Sequence, residues 1–574
     1  MTDCRFSNEL NRLRKSSSDS IDNIEEFDSF KRYMHVVRNA EEDLKNLLRK
    51  VNVSGKKTLV LLCGSAGDGK SHLLSYLKNA DGEDLINQYV VYNDATESSA
   101  PSKTAIQTLN EFLAPYKDDN LEIPGQNVIL AINLGVLNNF IESEYGSAFS
   151  LLRKYVEERN ILTTQVNDNE YNANSHFQHV SFSDYHMYSL TANGVQARYI
   201  EAILEKVFAP KEENWFYRSY LESCPLCPLS KKCPVKKNYE YMIKVERQQF
   251  VAELLVKAII QDKVILTTRE ILNFVYDILV SQNFSYKKFQ ELLIDDSAYL
   301  KEFLKQITPA LLFDSADVTV LMNILKKYDP LLVRFEKADE DAVSYYVSSD
   351  ISSEIKEAFT KNSFGDIICG SDMIAKVNSD KVLKSNIYSL IVRVNSIEEG
   401  NIQEEIYGKY LNDLYWYNSG SGNKLGPLYE MVKRAIIQWC ESDEEGNLCL
   451  DKKHKGFYLY EKVEFVASIN HIPHPEETDN LQRFIPTVVV AFEGLNDDMI
   501  ELDIDYTLYE LLYKLNNGYI QTVNDRNNHA DFISFINRIL LTGSLAKNIS
   551  IVSEKGKKAV ISQDMFGYRF KVVK

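Results

Sequence analysis

The sequence predicts an α/β protein in which a parallel sheet carries a phosphate-binding loop, followed by a helical lid and a C-terminal α+β domain. Three observations predict it. The stretch LVLLCGSAGDGKSHLL (Leu59 to Leu74) runs from a buried-strand pattern through a glycine loop into a helix. Strand and helix patterns then alternate to about residue 200. Beyond residue 455 the pattern changes to strands, two helices and a closing hairpin.

Residues 1–50 read as an arm and a helix. Residues 1–26 are polar and acidic, which predicts a flexible arm. Phe27, Phe30, Met34, Val37, Leu44, Leu47 and Leu48 then recur at helical spacing, which predicts one amphipathic helix leading into the first strand.

Residues 51–200 read as the nucleotide-binding core. Thr58 to Cys63 is an unbroken apolar run of the kind buried on both faces of a parallel sheet. Gly64, Ser65, Ala66, Gly67, Asp68, Gly69, Lys70 and Ser71 follow, fitting G-x-x-x-x-G-K-[ST] at every fixed position. Glycines without a Cβ let such a loop curl with its N–H groups pointing inward around a phosphate. The helix opening at Lys70 adds its positive end. Lys70 is suited to the β- and γ-phosphates of ATP, and the Ser71 hydroxyl to Mg²⁺. Nothing requires an imidazole at His72. Further strands are predicted at Tyr89–Tyr92, Val128–Ile132 and His179–Phe182, with helices in TAIQTLNEFL and SAFSLLRKYVEERN.

Hydrolysis needs a strand-end acid to hold magnesium and a group to orient water. Asp94, in VVYNDATES, is the expected magnesium ligand, with Asp184 in VSFSD as competitor. Glu97 is the expected water-orienting base. Asn133, ending VILAIN, is in character with the polar γ-phosphate sensor of AAA+-like ATPases. The sequence departs from the AAA+ pattern in that no strand ends in an adjacent acidic pair. Thr267-Thr268-Arg269-Glu270 fits a capping box, so a helix begins there with Arg269 in its first turn. A cation opposes the dipole at that end. Arg269 therefore resembles the second sensor of AAA+ ATPases, a role its planar fork suits.

Residues 201–250 carry a cysteine-rich insertion. CPLCPLSKKCP supplies Cys224, Cys227 and Cys233, a C-x₂-C-x₅-C cluster suited to Zn²⁺, with an iron–sulfur cluster as the alternative. The fourth ligand stays open among His176, His179, His186 and a distant cysteine. Lys231, Lys232, Lys236 and Lys237 make a local basic patch for phosphate-backbone contact, against the alternative of a solvated loop.

Residues 251–345 read as the helical lid and 346–455 as a mixed linker and helical region with a flexible NSGSGNKLG loop. Residues 456–574 read as the α+β domain, with strands at 457–469, 486–493 and 499–504 and helices at 506–516 and 529–541. HIPHPEE (471–477) reads as an extended surface loop, because its prolines oppose a compact metal site.

The net charge of −17 argues against a protein coated in nucleic acid, while leaving a local contact or one through a partner open. Apolar runs fall short of a membrane span, and eight irregularly placed cysteines suit a reducing cytoplasm. No nuclease or zinc-hydrolase motif is present.

LLCGSAGDGKSHLL, YNDATES, ILAINLGVL, CPLCPLSKKCP, TTREILNF and DYTLYELLYKLNNGYIQTVNDRNNHADFISFINRIL, in this order, resemble the DptF family. These are the ATPase-like components of the DNA-phosphorothioation-dependent restriction systems of bacteria. The resemblance implies an AAA+-like P-loop NTPase in an anti-phage defence complex that acts on DNA lacking the phosphorothioate mark. It implies DptG- and DptH-like partners, with DNA met directly or through them, and leaves room for a homo-oligomer. Two other readings compete: a scaffold that binds nucleotide without turning it over, and a signal-transducing ATPase that recognises a protein ligand.

Overall fold

The computed structural model describes all residues except 1–3, 15–28, 66–67, 80–81, 94–103, 164–165, 167–168, 316, 333–335, 401–403, 443–446, 452–455, 464, 473–478, 495–497, 544–547, 554–557, 565–566 and 574. The chain divides into two compact units. One comprises residues 1–189 and 196–402, the other residues 190–195 and 403–574.

The first unit is built on four strands: β1 (Leu59–Cys63), β2 (Tyr89–Tyr92), β3 (Asn127–Ile132) and β4 (Phe177–Ser181). They pair in the order β2-β3-β1-β4, and each of the three pairings is parallel. All five β1 side chains are buried, and their alternation divides them between two cores. Leu59, Leu61 and Cys63 face the helices Ala105–Phe112, Leu134–Ile141 and Ser150–Glu158. Val60 and Leu62 face Asn39–Ser54 and Lys70–Asn79. A strand covered on both faces has no polar side, which explains the continuous apolar run. Each fully buried leucine there contributes about 1.5–3 kcal/mol.

The N-terminal region departs from expectation twice. Residues 4–14 are anchored rather than loose, with Phe6, Leu10 and Leu13 buried and helix Arg5–Leu10 packed on helix Trp215–Ser223. Arg12 lies over the Phe30 ring at 4.3 Å and the Trp215 ring at 4.8 Å, and Arg14 pairs with Asp277. The expected single helix from Phe27 to Leu48 is broken. Ser29–Met34 and Asn39–Ser54 are separate helices, and Arg38 at their junction has extended backbone.

The cysteine segment and the region after it are helical. Arg198–Phe208, Trp215–Ser223, Pro234–Met242, Val245–Asp262 and Thr268–Leu279 run in succession. Asn238 joins them from a fully buried position. Its Nδ2 donates to the carbonyls of Leu279 and Gln306, and its Oδ1 accepts from the Thr308 N–H. Arg393, also buried, forks onto Asp314 and Asp329 at 2.6 Å each.

In the second unit, Met499–Ile504, Val488–Glu493 and Ala467–Ser468 form an antiparallel sheet. Asp413, on helix Glu405–Asn418, accepts from the Tyr509 hydroxyl of helix Tyr506–Asn516 at 2.7 Å. A second sheet runs Gly567–Val573, Lys558–Asp564, Asn548–Ser553, Phe457–Glu461, Leu448–Asp451, antiparallel throughout. The NSGSGNKLG segment is ordered: Asn418 is buried and donates to the carbonyls of Leu414 and Ile485, and Gly422–Leu425 is a 3₁₀ turn.

Candidate functional site

The glycine loop leaves the carboxyl end of β1, between its neighbours β3 and β4. The register sets Cys63 opposite Ile132 on one side and Ser181 on the other, so Asn133 and Phe182 flank Gly64. Gly64 has φ +153°, and a Cβ there would meet Asp68 Oδ2 at 2.6 Å and Phe182 Cβ at 2.9 Å. Gly69 has φ +91°. Both positions therefore require glycine, one for close approach and both for conformation.

Within the loop, the Asp68 carboxylate accepts from the Ser65 N–H, and Lys70 Nζ donates to the Ser65 carbonyl at 2.6 Å. Burial raises the Asp68 pKa, while Lys70, the Ser65 N–H and Arg38 pull it the other way. An anion thus already sits against a loop N–H and beside the lysine. Lys70 opens helix Lys70–Asn79, with the Leu73 N–H donating to the Gly69 carbonyl at 2.9 Å. Ser71 lies in its first turn. Ala66 and Gly67 fall outside the described residues.

Arg38 is a side chain against the loop that the sequence does not single out. Its Nη1 donates to the Asp68 carbonyl at 2.7 Å and its Nη2 to the Tyr185 carbonyl at 3.3 Å. The guanidinium lies over the rings of Phe182 at 5.3 Å and Tyr199 at 5.2 Å. The Tyr199 hydroxyl in turn bonds Thr268 Oγ1 at 2.7 Å. A continuous chain therefore joins the loop backbone to the first residue of helix Thr268–Leu279. No local pattern marks Arg38, because the apolar spacing runs on through the break and its partners come from distant parts of the chain.

The capping box at that helix is formed on both sides: Thr267 Oγ1 accepts from the Glu270 N–H, and Glu270 accepts from the Thr267 N–H at 2.7 Å. Arg269 sits partly buried in this first turn. Asn133 caps helix Leu134–Ile141, its Oδ1 accepting from the Gly135 N–H at 2.8 Å. Asp94 and Glu97 lie outside the described residues. Asp184 is buried in the turn that follows β4. It and Lys70 both act on Cys63, whose thiol burial pushes up to about 12. That places the acid and the lysine at the same end of β1.

His72 follows Lys70 and Ser71 in the first turn of helix Lys70–Asn79. Burial, His35 and Lys31 depress it to about 4, so it is neutral at pH 7. It bonds His35 at 3.2 Å, and His35 stacks on Tyr76 with centroids 3.6 Å apart.

Cys224 ends helix Trp215–Ser223, Cys233 caps helix Pro234–Met242, and Cys227 lies in the turns between. Among the described residues no three His, Cys, Asp or Glu side chains converge as the ligands of a single ion do. The basic patch around them is largely neutralised. Lys232 pairs with Asp296 at 3.1 Å, Lys236 with Glu240 at 3.3 Å, and buried Lys237 with Asp366 at 2.7 Å. Paired lysines are poorer phosphate ligands than the sequence suggests; Lys231 is exposed.

Among the described residues no helix is long and apolar enough to cross a membrane. Comparison of the chain with family models, curated proteins and solved structures returns no match.

Proposed function

We propose that this chain binds and hydrolyses ATP as a P-loop NTPase of AAA+-like type. We further propose that it serves as the nucleotide-dependent subunit of a bacterial restriction complex acting on DNA that lacks phosphorothioate. The observation that carries the nucleotide reading is the loop itself. Gly64 and Gly69 occupy glycine-only conformations at the carboxyl end of a buried parallel strand, and a loop N–H is already satisfied by a carboxylate. Anions bind at such strand–loop–helix junctions because N–H dipoles and a helix terminus converge there.

In this mechanism the phosphates replace the Asp68 carboxylate at the Ser65 N–H, and Lys70 turns from the Ser65 carbonyl to the β- and γ-phosphates. Ser71 and Asp94 would hold Mg²⁺, which supplies charge neutralisation at the phosphates. Glu97 orients water, and Asn133 and Arg269 read the γ-phosphate. Loss of the Asp68 carbonyl geometry is felt by Arg38, then by Tyr199 and Thr268, so the lid helix responds to the loop. The defence role and the DptG- and DptH-like partners rest on the sequence resemblance alone.

Turnover measured with unmodified DNA and the companion subunits tests the proposal. Stimulated ATP hydrolysis that Lys70→Ala abolishes supports it. ATP binding without turnover in any combination favours the scaffold reading.

A further inference from the structure

The C-terminal strand Gly567–Val573 ends the five-stranded sheet of the second unit. It pairs with Lys558–Asp564 on one side, and among the described residues no strand joins its other edge. Asp564 pairs with Gly567 across only two residues, which makes that pair a hydrogen-bonded one, and such pairs recur at every second position. Arg569 and Lys571 therefore spend their main-chain groups on the sheet, while Tyr568, Phe570 and Val572 aim theirs at the open edge. The side chains divide in the same alternation. Tyr568, Phe570 and Val572 share one face at 78%, 65% and 61% exposure. The register continues that face through Ile561 to Ile549, both only half-buried. Arg569 and Lys571 stand exposed on the opposite face, and the strand carries no acid in a chain of net charge −17.

We propose that this edge receives an extended segment of another protein, added to the sheet as a further strand, whose residues alternate between apolar and acidic. Main-chain N–H and C=O groups along an open edge are a template for strand addition. Cross-strand neighbours on one face interact directly, so apolar residues belong opposite Phe570 and its companions, and Asp or Glu opposite Arg569 and Lys571. A second copy of this chain fits worse. Antiparallel pairing centred on Phe570 sets Arg569 of one copy against Lys571 of the other, and like charges directly opposite are destabilising. A single nucleic-acid strand fits worse too, because bases stacked on the aromatic face would leave both cations behind the sheet. This inference is independent of the nucleotide reading.

The test uses the folded full chain and fluorescent seven-residue peptides, the length of the strand itself. One peptide alternates Val and Glu, one alternates Val and Lys, and one carries the Val–Glu composition with the two residue types in separate blocks. Fluorescence anisotropy should show saturable binding of the alternating Val–Glu peptide, with the other two at least about tenfold weaker. Hydrogen exchange resolved to single residues should slow at the Tyr568, Phe570 and Val572 amides on binding and stay unchanged at Arg569 and Lys571. The double variant Arg569→Glu, Lys571→Glu should reverse the preference, taking the Val–Lys peptide over the Val–Glu one. The exchange readout holds even where that variant fails to fold. The proposal is overturned if the Val–Glu peptide does not bind at millimolar concentration, if the blocked peptide binds equally, or if exchange slows elsewhere instead. It is overturned in favour of a second copy if the same amides become protected with rising protein concentration and no peptide. It is overturned in favour of nucleic acid if a single-stranded oligothymidylate protects them and the peptide does not.

Discussion

Arg38 donates to the main-chain carbonyl of Asp68 at 2.7 Å, from a side chain wedged between the aromatic rings of Phe182 and Tyr199. One arginine outside the glycine motif therefore holds the loop's geometry and touches the path to helix Thr268–Leu279. A charge-assisted hydrogen bond of this kind is worth about 1.5–3 kcal/mol. Arg38→Ala should weaken ATP binding about tenfold or more by calorimetry. Arg38→Lys should rescue it poorly, because an ammonium lacks the fork that reaches both carbonyls.

Asp68 makes the opposite prediction. Its carboxylate occupies the Ser65 N–H that an incoming phosphate needs, and it repels that phosphate. Two like charges about 4 Å apart in water cost about 1 kcal/mol. Asp68→Ala should tighten ATP binding about fivefold, and inorganic phosphate in proportion. Unchanged or weaker affinity would show that the carboxylate does not compete.

The strand positions were legible because buried parallel strands leave continuous apolar runs closed by glycine or polar residues, as LVLLC and NVILAI are. The helix predicted at 506–516 is present as Tyr506–Asn516, and the structure adds Asp505 as its cap. The break before Asn39 was not, because Met34 and Val37 keep the apolar period going while the turn is fixed by Arg38 reaching another element. The hairpin of Tyr185–Thr191 and Gly194–Gln196 was missed because its polar and aromatic residues carry no clean alternation. The seat of helix Arg5–Leu10 depends on Phe6 burying against Tyr220 and Tyr239, and no local pattern reveals a long-range contact of that kind.

Arg393 offers a stability test away from the site. It is 3% exposed, bound by both Asp314 and Asp329, and Asp329 is itself buried. Arg393→Met leaves a buried carboxylate without its counter-charge. Such broken pairs cost about 3–5 kcal/mol. Chemical denaturation of the first unit's transition should register that loss.

Asp413 predicts a pH dependence in the second unit. Burial pushes its carboxyl up to about 6, against the lowering effect of the Tyr509 hydroxyl. The unfolded chain releases that proton near the ordinary value of about 3.9. Between these values the folded state binds more protons than the unfolded one, so the contribution to stability is full below about pH 4 and is lost as pH rises to about 6. At about 1.4 kcal/mol per unit, the loss is on the order of 3 kcal/mol. Asp413→Asn should flatten this part of the profile, read as the difference from wild type across pH 4–7.

The proposed nucleotide site requires that residues Gly64 to Ser71 hold the phosphates of a nucleoside triphosphate. Calorimetric titration of the folded full chain with ATP and Mg²⁺ tests it most directly, beside Lys70→Ala. Saturable binding with a dissociation constant in the micromolar range, about −8 kcal/mol, is expected, with its loss in the variant. Heat of dilution alone up to millimolar ATP, from protein shown to be folded, would contradict it.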